Sequence, residues 1–105
     1  QNDDCPIATT LDVIGGKWKV YILCVLMDGK MRTNEIRREI PNLTQKVLTQ
    51  QLRQLEADGI IHRTVYQEVP PKVEYTLSEH GKSLMKIMNE LFEWGKGHQI
   101  KRLHD

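Results

Sequence analysis

Five residues in the middle of the chain carry the side chains best suited to chemistry: Gln45, Lys46, Thr49, Gln50 and Arg53. All are hydrogen-bond donors, four of them on long arms, and they recur at helical spacing. Apolar residues interleave with them at Val47, Leu48, Leu52 and Leu55, and from Leu48 onward they follow the i, i+4, i+7 rhythm of one helical stripe. The polar set therefore occupies the opposite face. It holds no acid, because Glu56 and Asp58 wait for the last turn. Acids there oppose the helix dipole, so helix stability does not explain their position. A surface pressed against phosphate would need this arrangement. Arginine and lysine match the acceptors of guanine, and glutamine matches the donor–acceptor pair of adenine. The expected activity of this face is readout of a DNA major groove.

A helix must hold that face in place, and the sequence marks both of its ends. Thr44 can cap the first turn with its side-chain oxygen, and Gly59 can close the last in a left-handed conformation. Ahead of it, Met31-Arg32-Thr33 reads as short and extended. Thr33 is then the expected cap of a short helix over 34–40, and Pro41-Asn42 a tight turn into Thr44. Two short helices joined by a few residues, the second longer and basic, make a helix-turn-helix over 34–58. Arg37 and Arg38 read either as phosphate contacts or as solvated surface charges.

After Gly59 the period changes from helical to alternating. Ile61, Arg63, Val65 and Gln67 alternate with His62, Thr64 and Tyr66; Glu68-Val69-Pro70-Pro71 turns; and 72–77 returns. A hairpin over 60–77 placed directly behind such a helix is a wing. Arg63 and Lys72 are its cations, placed to reach a DNA backbone or minor groove. The same hairpin could instead simply cover the helical core. Thr33, Asn34, Arg63 and Lys72 are the expected phosphate holders, with Thr44 completing the candidate DNA-binding set.

The flanks read as helices with surplus apolar surface. Pro6 opens a first helix over 6–14 carrying Ile7, Leu11 and Ile14, and Gly15-Gly16 breaks it. Lys17 to Asp28 reads as the central buried helix, with Trp18, Tyr21, Ile22, Val25 and Leu26 inward and Cys24 a small core residue. Ser78 caps an expected final helix over 79–97, where Leu84, Ile87, Met88 and Leu91 form a stripe flanked by Met85, Phe92 and Trp94. That arc is wider than docking on one small domain requires, and the simplest cover is a second copy. The expected fold is α+β, a single winged helix-turn-helix domain over 1–105 with N- and C-terminal dimerisation helices.

Bulk properties fit this reading and exclude others. At 105 residues the chain suits one domain. Net charge is only +1, but residues 30–72 hold eight Lys/Arg against five acids, so the positive excess sits around the candidate face. The longest apolar run, Val20 to Met27, is far short of a membrane span. The start is acidic and polar, so no signal peptide is read there and a cytoplasmic setting is expected. Residues 1–4 are expected to fray. Cys5 and Cys24 make no disulfide framework, and the four histidines lack metal-ligand spacing, so neither metal nor cofactor is expected. No nucleophile–base pair or phosphate-cradling loop points to an enzyme; the Ser78/His80 proximity is better explained by helix capping. Cys5 stands at a helix N-terminus, where the dipole favours a thiolate while Asp3 and Asp4 oppose it. It reads either as a reactive thiol or as an ordinary capping residue.

Taken together, Cys5-Pro6, Leu11-Asp12-Val13-Ile14-Gly15-Gly16-Lys17-Trp18, the run Leu48 to Glu56, Asp58-Gly59-Ile60-Ile61, the run Val69 to Tyr75, and Leu77-Ser78-Glu79-His80-Gly81 resemble the HxlR family of bacterial winged-helix transcription regulators, relatives of the MarR type. The resemblance covers nearly the whole chain. It implies a homodimer joined through terminal helices, each half reading one half-site of an inverted repeat, with the wing tip near the minor groove. It also implies sensing of oxidants, quinones or aldehydes through the thiol at Cys5. Some relatives pair that thiol with a C-terminal cysteine across the dimer; here no cysteine follows Cys24, which leaves alkylation, a mixed disulfide or a Cys5–Cys24 pairing. The competing reading is a winged helix used as a protein-interaction module without specific DNA readout.

Overall fold

A computed structural model describes residues 5–104, so the fraying expected of 1–4, and Asp3 and Asp4 beside Cys5, lie outside the described residues. The elements run α1 (Pro6–Ile14), α2 (Lys19–Leu26), α3 (Thr33–Glu39), α4 (Gln45–Ala57), β1 (Ile61–Tyr66), β2 (Lys72–Leu77), α5 (Glu79–Lys82) and α6 (Leu84–His104). This is an α+β winged helix-turn-helix. The strands pair antiparallel in the register Ile61↔Leu77, Arg63↔Tyr75 and Val65↔Val73, and an isolated bridge Met31↔Tyr75 adds the stretch before α3 to the other edge of β2.

One core joins these elements. Ile22, Leu23 and Leu26 of α2, Ile36 of α3, Leu48, Leu52 and Leu55 of α4, and Ile60, Ile61, Tyr75 and Leu77 from the wing are buried together. The buried side of α2 is the i, i+3, i+4, i+7 set Lys19, Ile22, Leu23 and Leu26. That phase corrects two expectations. Tyr21 is 53% exposed rather than inward, and Cys24 is exposed rather than a core residue. It also buries the Lys19 side of the helix, a position the apolar run gave no reason to single out. The helix is shorter than 17–28: Gly16 takes a positive φ of 86° just ahead of it, and at the far end the Asp28 and Gly29 amides turn back only three residues, to the Val25 and Leu26 carbonyls.

The ends of α4 form as its sequence requires. The Thr44 hydroxyl accepts the Val47 N–H at 3.2 Å. At the other end Gly59 is left-handed (φ 75°), the Ile60 N–H donates to the Leu55 carbonyl at 2.9 Å and the Gly59 N–H to that of Glu56 at 3.0 Å. This is the Schellman pattern, which satisfies the last carbonyls and turns the chain into β1. For α3 the cap differs from expectation. The helix begins at Thr33 itself, and the Glu35 carboxylate accepts the Arg32 N–H at 2.8 Å. The turn between α3 and α4 places Asn42 at φ 71°, a conformation asparagine tolerates better than most residues, and Arg37 Nε donates to the Leu43 carbonyl at 3.1 Å across it. Arg37 is thereby a structural clasp.

Ser78 ties three parts together. Its hydroxyl accepts the Gly81 N–H at 2.8 Å and donates toward the carbonyls of Gly59 (2.6 Å) and Ile60 (3.0 Å). Gly81 packs so closely on Ile60 that a Cβ there would stand 2.0 Å from the Ile60 carbonyl oxygen. The capping expectation for Ser78 is met, but the final helix is not continuous over 79–97. It breaks at Ser83, whose amide and hydroxyl both turn back to the His80 carbonyl, and then runs on to His104.

Candidate nucleic-acid interface

With Leu48, Leu52 and Leu55 facing inward, α4 turns Gln45, Lys46, Gln50 and Arg53 outward and exposed. Thr49 is half-buried among them and accepts a hydrogen bond from Gln45 Nε2 at 3.2 Å. Lys46, Arg53 and Arg63 make no ion pair among the described residues, so their charge is available to an incoming group.

Two clefts border this face. One, of ≈ 350 Å³, lies between α4 and the wing, lined by Thr49, Arg53, Glu56, Arg63 and Tyr75. Arg63 stands opposite Tyr75 in the strand pair and so shares its face, which brings its guanidinium to the cleft that Arg53 enters from the helix. Glu56 closes the rear of the same cleft, where it lowers the local positive potential without reaching the first three turns. The other cleft, of ≈ 520 Å³, follows the turn between the helices and is lined by Asn34, Arg37, Arg38 and Thr44 among others. Sequence position had separated Asn34 from Thr44; the turn brings them together beside two arginines. Thr33 is half-buried at the start of α3 and does not line this cleft.

Lys72 is placed differently from expectation. Its ammonium is not free on the wing but sits 3.7 Å from Glu74 Oε2 and 4.8 Å above the Tyr66 ring. Lys30 approaches the same carboxylate at 3.9 Å. A hydrogen bond from Tyr66 and the fields of Lys72, Lys30 and Arg32 hold the Glu74 carboxyl below its usual range, with desolvation opposing them. The same hydrogen bond pushes the Tyr66 phenol up. Sequence reasoning missed this cluster. The alternation of Lys72 and Glu74 on one strand face was a usable signal, but the contribution of Lys30 depends on the distant Met31↔Tyr75 bridge.

Cys5 occupies the position before α1, half-buried, with its carbonyl accepting the Thr9 N–H at 3.1 Å. It is the N-cap residue of α1, as the capping reading expects, although its side chain makes no capping hydrogen bond. Partial desolvation pushes the Cys24 thiol up, although the residue as a whole is exposed. Among the described residues no group of three His, Cys, Asp or Glu is placed to hold a metal, and no helix is long and apolar enough to cross a membrane.

The terminal helices expose apolar side chains in quantity. Ile7 and Leu11 of α1 and Ile87, Leu91, Phe92, Trp94, Ile100 and Leu103 of α6 are all exposed, the last 83% so. Only Met88 of α6 is buried. An apolar cleft of ≈ 320 Å³ between α2 and α6, lined by Val20, Tyr21, Cys24, Met88, Leu91 and Phe92, adds to that surface.

Comparison with known proteins agrees with this geometry. The family described as HxlR-like helix-turn-helix matches residues 13–102. An uncharacterized HTH-type transcriptional regulator, YtcD of Bacillus subtilis (strain 168), is 62% identical over 98 residues, spanning 93% of this chain and 77% of that protein. Among solved structures, the redox regulator HypR in its reduced form superposes with a TM-score of 0.87 at 55% identity, covering 90% of this chain and 94% of the other. HypR in its oxidized form gives 0.83 at 57% identity, covering 89% and 96%.

Proposed function

The chain belongs to the HxlR-like helix-turn-helix family of transcriptional regulators, which are not enzymes, and from that premise we propose that it binds an inverted-repeat operator as a homodimer in the cytoplasm. The observation that carries this reading is the outward face of α4, where Gln45, Lys46, Gln50 and Arg53 are exposed on a helix whose other side is locked in the core. This face enters the major groove. Arg53 or Lys46 reads guanine, and Gln45 or Gln50 reads adenine, with Thr49 beside them. Thr33, Asn34 and Thr44 meet phosphates at the helix-turn-helix, and Arg63 meets the backbone from the wing. Lys72 can join them only by leaving Glu74. The exposed apolar residues of α1 and α6 form the dimer interface, which sets the two copies of α4 about one helical turn, roughly 34 Å, apart.

A second element follows from Cys5 and from the likeness to the redox regulator HypR, which is 55% identical over 90% of this chain in its reduced form. Cys5 senses an oxidant or electrophile at the start of α1, within the dimerisation surface, so its modification changes how the two halves are set. The protein-interaction alternative loses ground to the acid-free face, which a protein partner does not require.

Selection from a pool of random duplexes, followed by hydroxyl-radical footprinting, tests this reading. Enrichment of an inverted repeat, with two protected patches on one face of the helix, is the expected result. A pool that stays unenriched, or a single asymmetric footprint, would refute specific dimeric readout.

A further inference from the structure

The foot of the wing holds a carboxylate in a cradle of cations. Lys72 Nζ is 3.7 Å from Glu74 Oε2 and Lys30 Nζ is 3.9 Å from Oε1, and the Met31↔Tyr75 bridge carries Arg32 alongside. The Glu74 side chain is only 13% exposed, and Oε1 is buried without accepting a hydrogen bond from any described residue. Both ion pairs are longer than the roughly 2.7–2.9 Å of a charge-assisted hydrogen bond. The lysines are therefore held by Coulomb attraction rather than by directed bonds, and another anion can take them. In the strand register Glu74 stands opposite Thr64, and Lys72 opposite Tyr66, on the sheet face that Arg63 and Tyr75 do not share. The cradle is thus separate from the cleft between α4 and the wing and would grip a different stretch of backbone.

We propose that Glu74 is an internal counter-anion of the wing, occupying among Lys30, Arg32 and Lys72 the place that a backbone phosphate takes when duplex DNA is bound, and so restraining affinity. The proposal rests on the DNA-binding reading. In the free protein these cations are neutralised at home; on a duplex, phosphate displaces Glu74 from one or two of them. Glu74 is a positioning residue, acting through the lysines it holds.

Fluorescence anisotropy with a labelled mixed-sequence duplex tests this, because non-specific binding reports the electrostatic part alone. Between about 50 and 200 mM salt, Glu74→Gln should bind several-fold more tightly than wild type at each salt concentration, with a similar slope of log K against log salt, because the same lysines meet phosphate in both complexes. Lys72→Ala should cost little in the wild-type background and several-fold in the Glu74→Gln background, a coupling that a merely structural glutamate would not produce. Equal or weaker binding by folded Glu74→Gln overturns the proposal. Should that variant fail to fold, Lys30→Ala/Lys72→Ala in the wild-type chain decides: a slope reduced by roughly 1–2 supports exchange with phosphate, and an unchanged slope overturns it. Salt-independent binding, or no binding, by wild type is a distinguishable failure, since it removes the DNA reading itself and this proposal with it.

Discussion

Helices α4 and α6 each leave one side uncovered, and what they leave there differs in kind. On α4 the apolar stripe Leu48, Leu52 and Leu55 is inside the core and the exposed side is amide and cation. On α6 only Met88 is buried, and the exposed side carries Ile87, Leu91, Phe92 and Trp94. An exposed polar face loses nothing by staying in water until a charged partner arrives. An exposed apolar face is unfavourable by about 25 cal/mol per Å² until something covers it. The first suits a partner that comes and goes, the second a permanent one. Nucleic acid for α4 and a second copy for α6 are the partners that match.

Substitutions that exchange the two characters should break this contrast. Leu52→Ala removes side-chain volume from the inside of α4 and should cost about 2–5 kcal/mol of stability in urea or thermal denaturation. A loss as small as a surface change produces would mean that α4 is not docked on the core. Leu91→Asp leaves the core alone and should weaken the proposed self-association by about 2 kcal/mol or more, giving monomer by sedimentation where a dimer is expected of wild type. If both proteins sediment alike, α6 is not the interface. Arg53→Ala should cost roughly 1–3 kcal/mol on the best duplex and relax preference at one base; equal affinity and preference would take Arg53 out of the readout. Thr44→Ala should cost about 1 kcal/mol of stability through the lost cap while leaving base preference unchanged.

Acid titration sharpens the contrast from the wing. Because the Glu74 carboxyl is held below its usual range, the stabilisation it provides is present above the unfolded value and is lost as pH falls through the folded one. Tyr66 is raised, so its contribution is complete below the ordinary phenol range and is lost only in strong alkali. The wing foot should therefore loosen in acid at a lower pH than an ordinary carboxylate would set. Following the Tyr66 and Lys72 resonances by NMR, in wild type and Glu74→Gln, checks this; identical acid transitions would exclude Glu74 as the titrating group.

What the sequence disclosed, and what it hid, follows from the range of the interactions. The whole of α4 was legible because its signals are local: an unbroken apolar rhythm, Thr44 three residues ahead of the amide it caps, and a glycine where the chain turns left-handed. The hairpin was legible for the same reason, through alternation and Pro70-Pro71. For α2 the near-continuous apolar run gave no phase, so Tyr21 and Cys24 were read as inward when the buried stripe is Lys19, Ile22, Leu23 and Leu26. The break at Ser83 depends on a side chain turning to the His80 carbonyl, which helix propensity does not anticipate. Lys72 was read as a free cation because its partner cluster needs residue 30 beside residue 74, brought there by a bridge between positions far apart in the chain.

On the proposed reading, the outward side of α4 is the surface that meets a duplex. Titrating duplex DNA into isotope-labelled protein and following the side-chain amides of Gln45 and Gln50, together with the backbone amides of residues 44–53, tests it most directly. These signals should shift or broaden first and recover as salt is raised. Perturbation confined to α6, with the Gln45 and Gln50 amides unmoved at saturating duplex, would contradict it.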